Sequence, residues 1–167
     1  MTFARRTPNS VRRVTRVGSE NDVHQQVCDY VRLQYPGVIF HTDFAAGARM
    51  TKGQAVRNKA LQSGRGWPDI FFPEPRNGYY GLFLELKKED VRVYLLNGSL
   101  SVDKHIREQA AMLDSLTRHG YCAKFAIGFD HAKAFIDAYF SAKDSEKNKY
   151  IMDDIVIQES TGRVIHL

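Results

Sequence analysis

Residues 66–89, GWPDIFFPEPRNGYYGLFLELKKE, constrain this chain more than any other stretch. An apolar run, Ile70-Phe71-Phe72, opens directly after Pro68-Asp69, and a second, residues 79–84, runs into Glu85-Leu86-Lys87. Between them lies the breaker segment Pro73-Glu74-Pro75-Arg76-Asn77-Gly78. Two short aromatic-rich runs separated in this way read as an antiparallel hairpin. In a hairpin the start of the first strand lies beside the end of the second. With Pro73 paired near Tyr80 or Gly81, Asp69 falls opposite or close to Glu85. Side chains alternate along a strand, so Glu85 and Lys87 share one face and Leu84 and Leu86 the other. Two carboxylates and an ammonium then meet at one end of an apolar hairpin.

Charges beside an apolar sheet cost free energy unless they are paired or bound to a metal. Hard divalent cations such as magnesium take oxygen ligands, one or two carboxylates together with the phosphate oxygens of a substrate. Asp69 and Glu85 suit that role, and the Leu86 carbonyl can add a third oxygen. Lys87 would face the same ion, orienting or deprotonating a water or stabilising negative charge on a phosphate. Taken as a pair alone, a salt bridge at a strand end, Lys87 neutralising Glu85, is the preferred account. The whole pattern of Pro-Asp, hairpin and Glu-x-Lys is more specific than either half.

Gly66-Trp67-Pro68-Asp69, Glu85-Leu86-Lys87 and a later helix carrying Gln109 resemble the PD-(D/E)xK nuclease superfamily. The likeness is greatest to its VRR-NUC branch, found in phage proteins and DNA-repair nucleases, and it spans residues 19–140. It implies an α/β fold with a restriction-endonuclease-like core, a mixed β-sheet flanked by helices. It implies hydrolysis of DNA phosphodiesters with magnesium or manganese, leaving 5′-phosphate and 3′-hydroxyl ends. For small stand-alone members it implies structure-selective cutting of branched DNA, as in Holliday-junction resolvases. The catalytic set carried over is Asp69, Glu85, Lys87 and Gln109; the metal set is Glu20, Asp69, Glu85 and Leu86. His24 stands where many relatives carry glutamine, which leaves its role open beside the plain reading of a surface histidine.

Glu20 also has a reading from its own surroundings. It lies one turn ahead of Val23 on the stripe Val23, Val27, Tyr30, Val31 of a helix that Ser19 caps and Pro36-Gly37 ends. It therefore points toward the core side, as a metal ligand or as a first-turn acid favoured by the helix dipole. A strand is expected over 38–44, with Asp43 capping the next loop, and a helix from Thr51 through Gln62. Asn97-Gly98 between β-prone runs predicts a hairpin over 91–102. Asp103 caps a helix with the stripe Ile106, Ala110, Leu113 and Leu116, so Gln109 faces inward among them. A strand over 121–128 follows, then a helix capped by Asp130 with Ala132, Phe135, Ile136 and Tyr139 buried. Segments 155–158 and 163–166 read as a last hairpin, and Trp67 as a core residue.

The net charge of +5 resides in residues 1–18, which hold Arg5, Arg6, Arg12, Arg13 and Arg16 and no acid. Arg49, Lys52, Arg57, Lys59 and Arg65 form a second acid-free basic stretch just before the Pro-Asp pair. They are the expected phosphate contacts, a solvated helix face being the alternative of equal weight. The organisation expected is a basic tail (1–18), a nuclease domain (19–141) and a C-terminal extension with a β-hairpin (142–167). No run approaches the ~20 apolar residues of a membrane span, and the N-terminus lacks an apolar signal core. Cys28 and Cys122 read as buried reduced thiols, consistent with the cytoplasm of a bacterial or phage-infected cell. The two accessory hairpins offer surfaces for a homodimer. The alternatives are a monomeric flap or nicking nuclease, a non-catalytic DNA-binding module with the same fold, and a plain structural domain.

Overall fold

Leu-Phe-Leu-Glu-Leu-Lys carries large apolar side chains on both faces, so a strand made from it must be covered on both sides. The computed structural model describes residues 20–42, 51–141, 155–158 and 163–166. In it this segment is strand β3 (Leu82–Lys87), and all six residues are buried. The elements around it are α1 (Glu20–Gln34), β1 (His41–Thr42), α2 (Lys52–Leu61), β2 (Ile70–Phe72), α3 (Lys104–Arg118), β4 (Cys122–Ile127) and α4 (Gly128–Ser141). The main sheet has the order β1-β2-β3-β4. Its first three strands are antiparallel neighbours. β3 and β4 run parallel from Leu82↔Cys122 to Lys87↔Ile127, joined through α3 as a crossover. The result is a mixed α/β sheet with helices on both faces, as expected.

The two faces bury different things. Ile70, Phe72, Leu82, Leu84 and Leu86 pack against Val23, Val27 and Val31 of α1 and against Ala132, Phe135, Ile136 and Tyr139 of α4. On the other face Phe83, Ala123 and Phe125 meet Ile106, Leu113 and Leu116 of α3, with Val93 from the segment after β3. Phe71 stacks on Phe83 with ring centroids 4.1 Å apart, which ties β2 to the α3 side as well. No helix among the described residues is long and apolar enough to cross a membrane.

Local signals set most element ends. Thr51 and Gln54 form a reciprocal capping box on α2, and Asp103 accepts the His105 and Ile106 amides at the start of α3. Three expectations need correction. The strand foreseen over 38–44 is His41–Thr42 within the described residues; Asp43 and Phe44 lie outside them, as does the Ser19 cap. α4 begins at Gly128, so Asp130 is an exposed first-turn residue, not the cap. Gly128 has φ +73, which turns β4 straight into the helix, and His131 Nδ1 accepts the Ile127 N–H at 3.1 Å. The 91–102 ribbon does not turn on a two-residue Asn-Gly loop. The Gly98 amide bonds the Leu95 carbonyl and the Leu95 amide the Ser99 carbonyl, both at 2.8 Å. This is a three-residue turn with Gly98 in the left-handed region. The two-residue form occurs instead at Asn77-Gly78, where both φ angles are positive and Arg76 pairs with Tyr79. The C-terminal segments form β5 (Ile155–Gln158) and β6 (Arg163–His166), an antiparallel two-stranded sheet of their own.

α1 and α4 are also joined by a polar tie. Tyr30 and Tyr35 both donate to Asp137 Oδ1, Tyr35 at 2.8 Å, and Lys133 Nζ lies 2.5 Å from Oδ2. Burial pushes the Asp137 carboxyl up, but bonds from Lys133, Tyr30 and Tyr35 outweigh it, and the group titrates below its ordinary value. A carboxyl depressed in the folded state adds stability above its unfolded pKa and loses it as pH falls through the folded one. Asp137→Asn should therefore lower the thermal midpoint at neutral pH by the equivalent of about 1 kcal/mol. Melting curves from pH 7 down to pH 3 should show the gap to the parent chain closing at the acid end; a gap constant with pH would mean that the carboxylate charge contributes nothing.

Candidate active site

The hairpin register carries the site. Ile70↔Leu84, Phe71↔Phe83 and Phe72↔Leu82 are paired, so one step further Asp69 stands opposite Glu85. Asp69 Oδ2 accepts the Leu86 amide at 2.8 Å, which fixes its carboxylate against the end of β3. Glu85 and Lys87 lie on the α3 face, as alternation requires, and are only 1% and 5% exposed. Lys87 Nζ is 2.6 Å from Glu85 Oε1. Gln109, 5% exposed on the inner stripe of α3, donates its Nε2 to the same oxygen. Its own Oε1 is buried with no hydrogen-bond partner among the described residues.

This depth was not visible in the sequence, and it changes the weight of the salt-bridge reading. Removing two ions from water costs several kcal/mol each, and their attraction seldom returns much more than that. An apolar pair of similar volume would serve the sheet as well, so stability alone does not account for Glu85 and Lys87. They also lie at the carboxyl ends of the parallel strands β3 and β4, where open α/β sheets place their ligand crevices.

A glycine holds the loop before Asp69 against the helix that carries Gln109. Gly66 has φ +77, and a Cβ on it would stand 2.9 Å from the Gln109 Cα and N and from the Glu108 carbonyl carbon. The sequence shows a tight turn there; the helix it touches was not foreseen. The three motif segments are thus fixed by strand register, by the Glu85–Gln109 bond and by this close backbone contact. Trp67 departs from its expected core position. The loop meets α3 through its glycines, so the neighbouring ring lies across the edge of Phe83, at 6.4 Å between centroids, and is 36% exposed. His24 departs in the other direction: it is half-buried, and its Nε2 is out of solvent with no hydrogen-bond partner among the described residues.

The remaining candidates are spread more widely. Lys52 and Arg57 are exposed on α2, and Arg65 is exposed within 3.6 Å of Glu108. Lys59 belongs to α2 with its side chain outside the described set, and Arg49 lies outside the described residues. Glu20 opens α1, the helix on the opposite face of the sheet, and its side chain is likewise outside the described set. Among the described residues no three His, Cys, Asp or Glu side chains gather closely enough to hold a metal by themselves. Asp69 and Glu85 do fit magnesium in kind: that ion takes one or two carboxylates and fills its remaining positions with water and substrate oxygens.

No protein-family model matches the chain, and no curated protein sequence does. Among solved structures, a VRR_NUC domain protein superposes with a TM-score of 0.57. The match covers 77% of this chain and 93% of that one, at 22% sequence identity. The two proteins share a fold.

The buried pair generates a stability test. Glu85→Ala leaves the Lys87 ammonium uncompensated and should cost about 3–5 kcal/mol. Glu85→Leu combined with Lys87→Met should be as stable as the parent chain in urea unfolding, or more so. A double variant much weaker than the parent would mean that the pair is kept for stability. Gly66→Ala meets both a strained φ and α3 backbone, and should lose roughly 1–3 kcal/mol; unfolding curves matching the parent would show that the loop does not need this contact.

Proposed function

We propose that this chain is a divalent-metal-dependent DNA endonuclease that hydrolyses phosphodiester bonds in branched DNA. The observation that carries the reading is the buried Glu85–Lys87–Gln109 cluster beside Asp69 at the carboxyl end of β3. A polar group this costly, on a strand otherwise built to be apolar, fits a catalytic centre better than a structural one. The fold shared with a VRR_NUC domain protein supports the same reading.

Asp69, Glu85 and the Leu86 carbonyl, with Glu20 from α1, would hold magnesium or manganese. When bound, the metal supplies positive charge that offsets the charge developing on phosphate oxygens. Lys87 orients the attacking water, and Gln109 holds Glu85 and Lys87 in their mutual geometry. Water adds in line to phosphorus, the bond to the 3′ oxygen breaks, and one proton passes to that oxygen. The products are a 5′-phosphate and a 3′-hydroxyl. Arg49, Lys52, Arg57, Lys59 and Arg65, with the arginine-rich N-terminal tail, contact the phosphate backbone. Binding should then weaken with salt at a log–log slope of roughly −0.9 per contact. Resolving a four-way junction takes two symmetric cuts, which a homodimer supplies most simply. We assign pairing to the β5–β6 segment, which forms a sheet separate from the main one.

The test is cleavage of a labelled four-way junction with magnesium, with manganese and with EDTA. The parent chain should cut only with metal. Asp69→Asn, Glu85→Gln and Lys87→Met should each slow cutting by more than about a hundredfold while the fold is retained. Lys87→Met should still bind the junction. Cutting that persists in EDTA or in both carboxylate variants sinks the assignment, and binding with no cutting by the parent chain makes it a DNA-binding module. Sedimentation with and without junction should show a dimer; a monomer making a single incision fits a flap or nicking nuclease instead.

A further inference from the structure

The 91–102 ribbon has no place in the cluster just described, yet it belongs to the segment that leaves β3 directly after Lys87. Its base is anchored. Val93 is fully buried, the Ser101 amide bonds the Val93 carbonyl at 2.9 Å, and the Tyr94 ring meets Phe125 edge-on at 6.4 Å. Its turn is held by the Leu95–Ser99 bond and by Asn97 Oδ1, which accepts from the Ser99 amide and hydroxyl at 3.0 and 2.7 Å. A short, rigid projection of this kind would ordinarily be capped with polar side chains. Here its tip is Leu96, 93% exposed, with Tyr94 at 42% nearer the base and Val102 at 74% beyond it. Arg92, Tyr94, Leu95, Leu96 and Asn97 line a cleft of about 370 Å³ beside it.

We propose that this ribbon is a base-contacting wedge, with Leu96 pressing against an unstacked base and Arg92 and Tyr94 receiving that base in the cleft. The proposal rests on the nuclease reading and extends it: the substrate is DNA whose bases are already unpaired or easily unstacked near the scissile bond. Position is the first support: the Tyr94 ring packs on Phe125, the β4 residue paired with Glu85, so the base of the ribbon lies one strand away from the carboxylate. Reach is the second. From anchored Val93 to Leu96 is three residues, roughly 10 Å of extended chain, and DNA grooves are about 7.5–8.5 Å deep. Chemistry is the third. Apolar side chains inserted between base steps, guanidinium groups and aromatic rings are the groups that hold unstacked bases. Charge is the fourth: residues 91–102 contain one cation, Arg92, and no carboxylate. Asp103 is engaged as the α3 cap, Glu89 lies over Gly128, and Asp90 sits at the ribbon's base. Burial pushes the Tyr94 phenol up while Lys124 pulls it back, so a cation lies near the ring and the phenol stays neutral. A second copy of this chain is the lesser fit, since three side chains fall well short of the roughly 800 Å² per partner that a stable dimer takes.

The test uses the full chain and a junction carrying aminopurine, a base that brightens when it leaves the stack, at the branch point. Calcium replaces magnesium, so that DNA is held without being cut. The parent chain should brighten the probe. Leu96→Ala should lose that signal and bind roughly fivefold or more weakly, the scale of one lost stacking contact. Its melting midpoint should not move, because the side chain is in solvent, and Leu96→Phe should restore the signal. Binding and cutting by the parent chain, with equal brightening by Leu96→Ala, overturns the wedge and leaves the nuclease reading standing. A shift from dimer to monomer caused by Leu96→Asp without DNA overturns it in favour of a contact between copies. A parent chain that neither binds nor cuts the junction overturns both proposals.

Discussion

Glu85 and Lys87 lie almost wholly out of water, 2.6 Å apart, on the central strand of a sheet covered on both faces. Each ion has surrendered hydration worth several kcal/mol, so the surroundings must answer both charges. That requirement reaches into three other elements. α3 must place an amide at one position of an apolar stripe, and Gln109 does so. β2 must begin with a group that can face the end of β3, and Asp69 takes the Leu86 amide. The loop before it must pass close over α3, which only a residue without a Cβ allows at position 66.

The same constraint explains why the hairpin is clamped at both ends. A slip of one residue between β2 and β3 would turn Glu85 and Lys87 into the aliphatic layer beneath α1 and α4. The near end is held by Gly66 on α3 and Asp69 on β3. The far end turns at Asn77-Gly78, where Asn77 Nδ2 donates to the Tyr139 carbonyl at 3.0 Å and the Tyr139 hydroxyl donates to the Glu74 carbonyl at 2.7 Å. The sheet's two faces thereby separate two tasks. The α1–α4 side is continuous hydrocarbon and aromatic packing, with the Tyr30–Tyr35–Asp137–Lys133 tie at its margin. The α3 side grades from the aromatic group of Phe71, Phe83 and Tyr121 to the charged pair, so the buried charge is confined to one end of one face.

Much of this was legible in the residues. Alternation along 82–87 separates Glu85 and Lys87 from Leu84 and Leu86, and the breaker segment puts Asp69 across from Glu85. Thr51 and Asp103 cap the helices they precede, and the spacing of Ile106, Leu113 and Leu116 turns Gln109 inward. The same kind of signal also misled. One Asn-Gly pair makes a two-residue turn at 77–78, while the other, at 97–98, sits in a longer one, because the flanking pairing decides which residues occupy the corner.

Alternation, helical stripes and caps depend on atoms only a few residues apart, so the sequence by itself determined the strands, most helix limits and the list of residues that could do chemistry. How deeply those residues sit depends on faces brought together from distant parts of the chain. Only the tertiary structure decided that Glu85 and Lys87 are sealed under α3, that Gly66 touches the backbone at Gln109, and that His131 accepts the Ile127 amide where β4 turns into α4. It alone decided that Trp67 lies at the rim, and that Tyr30 finds its acceptor in Asp137, 107 residues away. Such contacts leave no local pattern, because which side chains meet across the sheet follows from how whole elements pack, and burial is a property of that packing.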